Sequence, residues 1–457
     1  MASSYMTFTP SEAGTSHRTG TISAWLKRAD VSSSQRFWGV RYAASHTCEV
    51  TMNEYIQIYA NYASSEQINL RTTAKYADPG AWYHVVVGFD TTQSVEADRV
   101  KLYVNGVQNS TFSTYTNYPA LNDDLLIGHG YPTSVGAMGA EGSNMWNGCI
   151  SWAQYVDGLQ LAPTEFGEFD STSGIWKIKT DVYGTPGING FCLKMEDRTN
   201  LDLDSSSNAH VFTTVGTPTA TYDNPSNNFA TFNPLTPTSA GQDLENGNLY
   251  CPGPNSPNYW QSVPATLGAR AGKWYWEFKD ENSWGGTGDS TRRYGICDLD
   301  TIVQTLSSGA DARFSGSTSG YAYMNASGVR YNGGTISGTA ANYPTFTDGD
   351  IIQVAMDLDN QKLYFGKNGT WLDSSDPTSG ATGTGSVADI SATATWSPYV
   401  EIHYGSDNVS ANFGNGYFKT TSTGTTEADD AGIGQFKYDV PAGYYTLCTK
   451  NIKAYGG

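Results

Sequence analysis

The sequence predicts an all-β chain made of two β-sandwiches, and three observations carry that expectation. A phrase occurs twice, KLYVNG at residues 101–106 and KLYFGKNG at 362–369; each reads as a strand entering a turn whose Asn-Gly pair supplies the positive φ angles of a tight hairpin. A second β-prone run precedes each copy, WYHVVVGFD at 82–90 and GDIIQVAMDLD at 349–359. Composition agrees: 15% of residues are charged and 13% aromatic, with 50 Gly, 30 Tyr and 12 Trp, and long Leu/Ala/Glu/Lys-rich stretches are missing. At 457 residues the chain exceeds a single hydrophobic core, so two or three domains are expected.

Charge narrows the function. A formal net charge of −18, with no basic run, argues against a grip on nucleic acid phosphates or anionic membranes. An acidic surface instead keeps a protein soluble in a crowded assembly. Cys48, Cys149, Cys192, Cys251, Cys297 and Cys448 lie at wide, irregular intervals without metal-binding spacing, which predicts reduced, partly buried thiols. Residues 1–30 hold no apolar signal-peptide core and no window approaches a membrane span, which predicts a soluble product folded in the cytosol.

In the first third, the predicted strands are GTISAWLKR (20–28), YIQIYANY (55–62), the 82–90 and 101–106 runs, DLLIGHG (124–130) and NGCISWAQYVDGLQL (147–161). A single helical turn is expected in PTEFGEF (163–169). Trp25, Trp82 and Trp152 alternate with polar neighbours, as inward residues of half-buried strands do. In order, ISAW, WYHV, KLYVNG and a late strand ending in DGLQL resemble the laminin G-like, concanavalin A-like jelly roll, placed at 1–170. Residues 171–235 read as an extension ending in a linker, with FCLKMED (191–197) strand-like and LDLDSSSNAHVFT (201–213) an acidic loop entering a strand.

A second β-domain is placed at 236–417, with strands in GKWYWEFKD (272–280), RRYGICDLD (292–300), GYAYMN (320–325), the 349–372 run, WSPYVEIHYG (396–405) and NVSANFG (408–414). The long phrase GDIIQVAMDLDNQKLYFGKNGTW, followed by PYV and NFG, resembles SPRY domains. The two resemblances imply two concanavalin A-like jelly-roll sandwiches in tandem, laminin G-like then SPRY. The tail at 418–457 is apolar enough in FKYDVPAGYYTLCTKNI (436–452) to dock.

This concatenation, with its NNFATFNPL joint and YDVPAGYYTLCTKN ending, resembles virion structural or tail-fibre proteins of bacteriophages. The resemblance implies a non-enzymatic virion surface protein. It would be a tail-fibre or receptor-binding adhesin contacting host glycans or proteins or, alternatively, a capsid or tail decoration protein. It also implies localisation in the virion after synthesis in the host cytoplasm. The implied partners are other virion proteins and a host cell-surface polysaccharide or receptor, with no nucleic acid and no membrane insertion. Neither heptads nor Gly-X-Y repeats specify an oligomer, so a homo-oligomer stays open.

Concanavalin A-like folds also host glycoside hydrolases whose carboxylates share a strand as E-x-D-x-x-E, and that pattern is absent. Glu277, Asp280 and Glu281 in WEFKDE have the wrong spacing to share a face and read as a solvated strand end, so a glycan-cleaving enzyme is the least favoured reading. The histidines, His17, His46, His84, His129, His210 and His403, show neither HExxH nor close pairing.

Calcium is the candidate cofactor. Asp123 and Asp124 precede a predicted strand, and Asp202, Asp204 and Asn208 sit in a loop resembling the Asp-Ser-Ser-Gly-Asn phrase of some laminin G-like domains, with Ser207 in place of the Gly. Asx-turn capping explains the same residues. For ligands, aromatic faces that stack on sugar rings beside amides that bind hydroxyls are the pattern of interest. Tyr131, Asn144, Trp146, Tyr259, Trp260, Asn282 and Trp284 are the candidates, each with core or turn packing as its competing explanation. The SPRY resemblance implies peptide recognition through loops at one end of the second sandwich.

Overall fold

The structure, a computed structural model, describes residues 4–31, 33–113, 116–139, 144–181, 183–236, 244–254, 260–281, 292–301, 320–325, 330–332, 335–337 and 343–456. The chain divides into two compact units, Met1–Ala220 and Thr221–Gly457.

The first unit begins with β1 (Tyr5–Phe8), β2 (Thr19–Arg28), β3 (Gln35–Ala43), β4 (His46–Met52), β5 (Ile56–Tyr62), β6 (Ser65–Arg71) and β7 (Trp82–Asp90). It continues through β8 (Val100–Val104), β9 (Val107–Asn109), β10 (Thr133–Val135), β11 (Gly148–Asp157), β12 (Gly167–Phe169), β13 (Trp176–Ile178), β14 (Phe191–Leu193) and β15 (Thr213–Val215). One sheet runs β15-β1-β10-β3-β4-β5-β6 and the other β14-β11-β2-β7-β8-β9. Alternation along the strands builds the core: Ile22, Ala24 and Leu26 on β2 and Val85, Val87 and Phe89 on β7 join Ile58, Ala60, Ile68 and Leu70 of the other sheet.

The same alternation corrects the expected direction of the tryptophans. Trp25 and Trp82 occupy the odd positions of their strands, and Trp152 sits at a bulge in β11 with φ 49°. All three belong to a separate cluster with Trp176 and Cys192, away from the inter-sheet core. Trp176 comes from the 171–220 extension, whose strands pair into this unit: β13 on β12, β14 on β11 and β15 on β1. The outer face of the second sheet is therefore covered, which is why β2 and β7 are buried along nearly their whole length, polar Thr21, Ser23 and His84 included. The helical turn expected near residue 163 is a 3-10 turn, Pro163–Glu165.

Residues 124–130 are not a strand. Leu125, Leu126 and Ile127 are all fully buried but, among the described residues, pair with no neighbouring strand, and Gly128 turns the chain at φ 71°. The segment is instead an irregular plug held by Leu125 N–H to His17 O (2.8 Å) and Gly14 N–H to Gly128 O (2.5 Å).

The second unit contains β16 (Tyr250–Cys251), β17 (Gln261–Pro264), β18 (Lys273–Asp280), β19 (Arg292–Asp298), β20 (Gly320–Met324), β21 (Arg330–Asn332), β22 (Thr335–Ser337) and β23 (Ile351–Asp357). After these come β24 (Lys362–Lys367), β25 (Thr370–Trp371), β26 (Ala388–Asp389), β27 (Trp396–Ile402), β28 (Val409–Asn412), β29 (Tyr417–Phe418), β30 (Thr421–Ser422), β31 (Tyr445–Thr446) and helix α1 (Thr449–Tyr455). Its sheets run β16-β28-β18-β23-β24-β25 and β17-β27-β19-β20-β21-β22. Residues 221–235 belong to this unit, and Ala230 and Phe232 enter its core beside Trp274, Trp276 and Phe278.

The tail docks as its composition predicts. β31 adds to β18 in parallel, and Phe436, Val440 and Tyr444 cover the outward residues Tyr275, Ala355 and Tyr364. All six cysteines are free thiols, five of them buried and Cys149 half-buried.

The repeated phrase folds identically in both units. Asn105 and Gly106 have φ of 49° and 78°, and Asn368 and Gly369 have φ of 50° and 85°, the values of a type I′ hairpin turn. Asn105 donates its N–H to His84 O (2.9 Å) and accepts His84 N–H on Oδ1 (2.8 Å). Asn368 makes the same pair of bonds with Ile351, at 2.9 and 2.8 Å.

Candidate ligand-binding surfaces

The first unit gathers six rings at one end of its first sheet. The β3–β4 and β5–β6 hairpins lie side by side there, joined by Ser64 N–H to Ser45 O (3.2 Å). Tyr42 is 63% exposed, and its ring lies 4.6 Å from that of Tyr131 at an interplanar angle of 30°. Tyr131 stacks on His129 (5.5 Å), and His129 stacks on His17 (3.7 Å). His46 meets Tyr42 and Tyr62 edge-on, at 5.6 and 4.9 Å, and Tyr62 lies 6.2 Å from His129. Ala63 and Ser64 form the tight turn with φ of 50° and 66° and no glycine, a backbone that costs roughly 1–2 kcal/mol per residue.

Chemically this corner offers ring faces and imidazole nitrogens. Burial and the neighbouring His17 hold His129 below the usual histidine range, although Asp124 opposes them. His129 Nε2, Asn61 Oδ1 and Gln67 Oε1 are buried without a hydrogen-bond partner. At the rim Arg18 pairs with Asp124 (2.7 Å), and Gln67 Nε2 donates to Asp124 O (3.0 Å). Ring faces of this kind suit the C–H face of a pyranose.

Tyr131 is thus the sequence candidate that the structure brings into an aromatic surface. Its neighbours carry a signal that spacing rules miss: Tyr42-Ala43-Ala44-Ser45 and Tyr62-Ala63-Ser64-Ser65 are near-identical tetrapeptides, and each marks a hairpin turn. The close pairing of histidines absent from the sequence appears only in three dimensions. A second concavity, of about 560 Å³, lies beside the KLYVNG hairpin at the opposite end of the β3–β6 strands.

Other candidates are placed elsewhere. Trp146 is core rather than surface: it is 8% exposed, meets Phe37 edge-on and donates Nε1–H to Cys149 O (3.2 Å). Asn144 is exposed with φ 48°, and its carbonyl accepts Arg36 N–H (2.8 Å). Trp260 is also buried, stacked on His403 (4.6 Å) with the Arg293 guanidinium 4.2 Å from its ring centre. Tyr259, Asn282 and Trp284 lie outside the described residues.

The proposed calcium ligands act as turn and loop caps. Asp123 accepts Ala120 N–H (2.8 Å), and Asp124 holds Arg18. Asp202 accepts the Thr214 hydroxyl (2.6 Å). Buried Asp204 accepts N–H from Cys192, Ser206 and His210 and the Ser206 hydroxyl, all within 3.0 Å. Asn208 donates Nδ2–H to the carbonyls of Gly187, Ile188 and Gly190. Among the described residues no group of three or more His, Cys, Asp or Glu is arranged to hold a metal ion.

The WEFKDE carboxylates are not a solvated strand end. Glu277 and Asp280 are fully buried. Glu277 accepts the Tyr275 hydroxyl (3.0 Å), Asn412 Nδ2–H (3.1 Å) and the N–H groups of Lys437 and Tyr438 (2.9 and 2.8 Å), so it anchors the docked tail. Burial raises its pKa to about 7 against the pull of those donors. Asp280 and Asp407 flank Arg292 at 2.7 and 3.0 Å, and Arg293 pairs with buried Glu401.

Comparison with known proteins agrees with this architecture. Residues 1–156 match the concanavalin A-like lectin/glucanases superfamily, and residues 273–414 match the SPRY domain family. A concanavalin A-like module and a SPRY module therefore stand in tandem. Among solved structures, the SPRY domain of human HERC1 is 19% identical, with 39% of this chain and 96% of that one covered at a TM-score of 0.30. Domain 4 of AbnA, a GH43 extracellular arabinanase from Geobacillus stearothermophilus solved with arabinotriose, is 16% identical, with 34% and 65% covered at a TM-score of 0.25. No curated protein matches the chain. Among the described residues no helix is long and apolar enough to cross a membrane.

Proposed function

We propose that this chain is a non-enzymatic virion surface protein of a bacteriophage, a tail-fibre or receptor-binding adhesin that contacts host glycans or proteins. The observation that carries the binding role is the exposed tyrosine–histidine corner on a lectin-type sandwich, centred on Tyr42 and Tyr131. The commitment of Glu277 and Asp280 to the tail and to Arg292 supports a non-enzymatic reading, because neither carboxylate is left to meet a substrate. The virion assignment rests on the resemblance of the whole concatenation to phage structural proteins.

The test is adsorption of the purified chain to host cells together with a glycan array. Saturable binding is expected, weakened about tenfold in Tyr42→Ala and Tyr131→Ala variants. Blank results in both assays overturn the adhesin role. Quantitative mass spectrometry of intact particles then locates the protein: a few copies on the tail support the adhesin. Many copies on the capsid without host binding identify a decoration protein, and absence from particles removes the virion assignment.

A further inference from the structure

The groove beside the first hairpin shares no residue with the tyrosine–histidine corner. Its lining includes Tyr76, Tyr83, Gln108, Asn109, Ser110 and Thr111, and no lining residue carries a charge although the chain as a whole carries −18. Its volume of about 560 Å³ lies within the range of small-ligand sites.

The walls are built before any ligand arrives. The two tyrosine rings stand 5.8 Å apart at 81°. Tyr76 Oη accepts Asn109 Nδ2–H (2.9 Å), and Tyr83 Oη accepts Asp78 N–H (3.1 Å), so each phenol keeps its own proton to donate. Behind them the fully buried Arg28 donates to the carbonyls of Asn53, Tyr76 and Asp30 and fixes the loop backbone. Thr111 N–H closes on Asn109 Oδ1 (3.1 Å), and Thr73 N–H on Thr111 O (3.3 Å). At the mouth, Gln108 and Ser110 are exposed and their side chains bond no other described residue.

Two charged residues interleaved with the lining, Lys75 and Asp78, hold partners within the chain. Lys75 pairs with Glu54 (2.6 Å), and Asp78 Oδ1 caps Gly80 N–H (2.8 Å). The lining itself offers an anion no cation, whereas a polyhydroxylated neutral ring would find ring faces, two phenol donors, amides and hydroxyls.

We propose that this groove is a second binding site, independent of the tyrosine–histidine corner, and that its ligand class is an uncharged oligosaccharide of two or three units. Its uncharged lining gives uronates and sulfated sugars no ion pair to gain.

The experiment titrates the full chain with maltotriose, laminaritriose, mannotriose and chitotriose, and with trigalacturonate as the anionic probe, by calorimetry and by NMR of the tyrosine rings. At least one neutral trisaccharide is expected to bind saturably, with trigalacturonate weaker by about tenfold or more. A Gln108→Ala/Ser110→Ala double variant, altered only at exposed positions, is expected to weaken that binding about tenfold while its melting temperature stays unchanged. Tyr42→Ala and Tyr131→Ala are expected to leave it intact, which separates this site from the corner. The proposal is overturned if no neutral trisaccharide binds, if trigalacturonate binds equally well, or if the double variant binds like the parent.

Discussion

The two sandwiches solve the same packing problem with different chemistry. In the first unit, the buried carboxylates that hold loops accept neutral N–H groups: Asp157 takes those of Thr15 and Asn189, and Asp204 those of Cys192, Ser206 and His210. In the second unit, carboxylates sealed almost completely from solvent are also paired with arginine, as Asp280–Arg292–Asp407 and Arg293–Glu401, whereas the Arg36–Glu49 pair of the first unit keeps more than a tenth of each side chain exposed. A neutral cap that is lost leaves one orphaned group, but a lost guanidinium leaves buried charge unbalanced. Local damage should therefore be tolerated better by the first unit than by the second.

The largest effect is expected from Arg292→Leu, which removes the guanidinium counter-charge of Asp280 and Asp407 and should destabilise the second unit by about 4 kcal/mol. Denaturant unfolding followed by two probes, one per unit, checks this, and an unchanged second transition would remove the contrast. Trp176→Ala comes next. It opens the outer-face cluster of Trp25, Trp82 and Trp152 and should cost the first unit about 3 kcal/mol.

The third prediction separates the units by pH. His84 is sealed between Trp25 and Trp176, with Trp176 Nε1–H on Nδ1 (2.9 Å) and Ser23 Oγ at Nε2 (2.8 Å), and burial lowers its pKa to about 3. Between pH 3 and 6.5 the unfolded chain binds the proton that folded His84 refuses, so stability rises with pH. Glu277 is the reverse. Its pKa is raised from 4.5 to about 7, so its contribution is complete below 4.5 and is lost as pH rises through 7. Each slope is at most about 1.4 kcal/mol per pH unit. Stability profiles of His84→Gln and Glu277→Gln, each subtracted from the parent, should have opposite signs, and equal signs would refute the assignment. The smallest effect on stability, within about 0.5 kcal/mol, is expected from Tyr42→Ala at its exposed hairpin tip, where host binding rather than melting should change.

Much of this was legible in the sequence. The Asn-Gly hairpins, the 82–90 strand and the SPRY phrase fold as read, because local turn chemistry and period-two patterning act over a few residues. The tryptophans were misread because alternation fixes that two faces differ, not which one meets the other sheet, and a strand arriving from residue 176 decides that. Glu277 and Asp280 were misread because their partners are supplied from afar, Lys437 and Tyr438 by the irregular C-terminal tail and Arg292 by β19 of the other sheet. Of the binding candidates among the described residues only Tyr131 entered an aromatic surface, since that surface depends on two hairpins meeting side by side.

The glycines of the two hairpins have one further meaning. A Cβ on Gly106 would strike the ring of Trp176, and one on Gly369 would come within 2.9 Å of Tyr438. Each hairpin is a seat for an aromatic residue that arrives after the family-matched segment has ended, at 156 in one module and 414 in the other. The portable unit is therefore longer than the homologous unit. Pieces cut at 156 or 414 would leave a bare aromatic sheet and stick to one another, whereas pieces divided between 220 and 221 keep their clasps, which sets the reading frame for any chimera built from this chain.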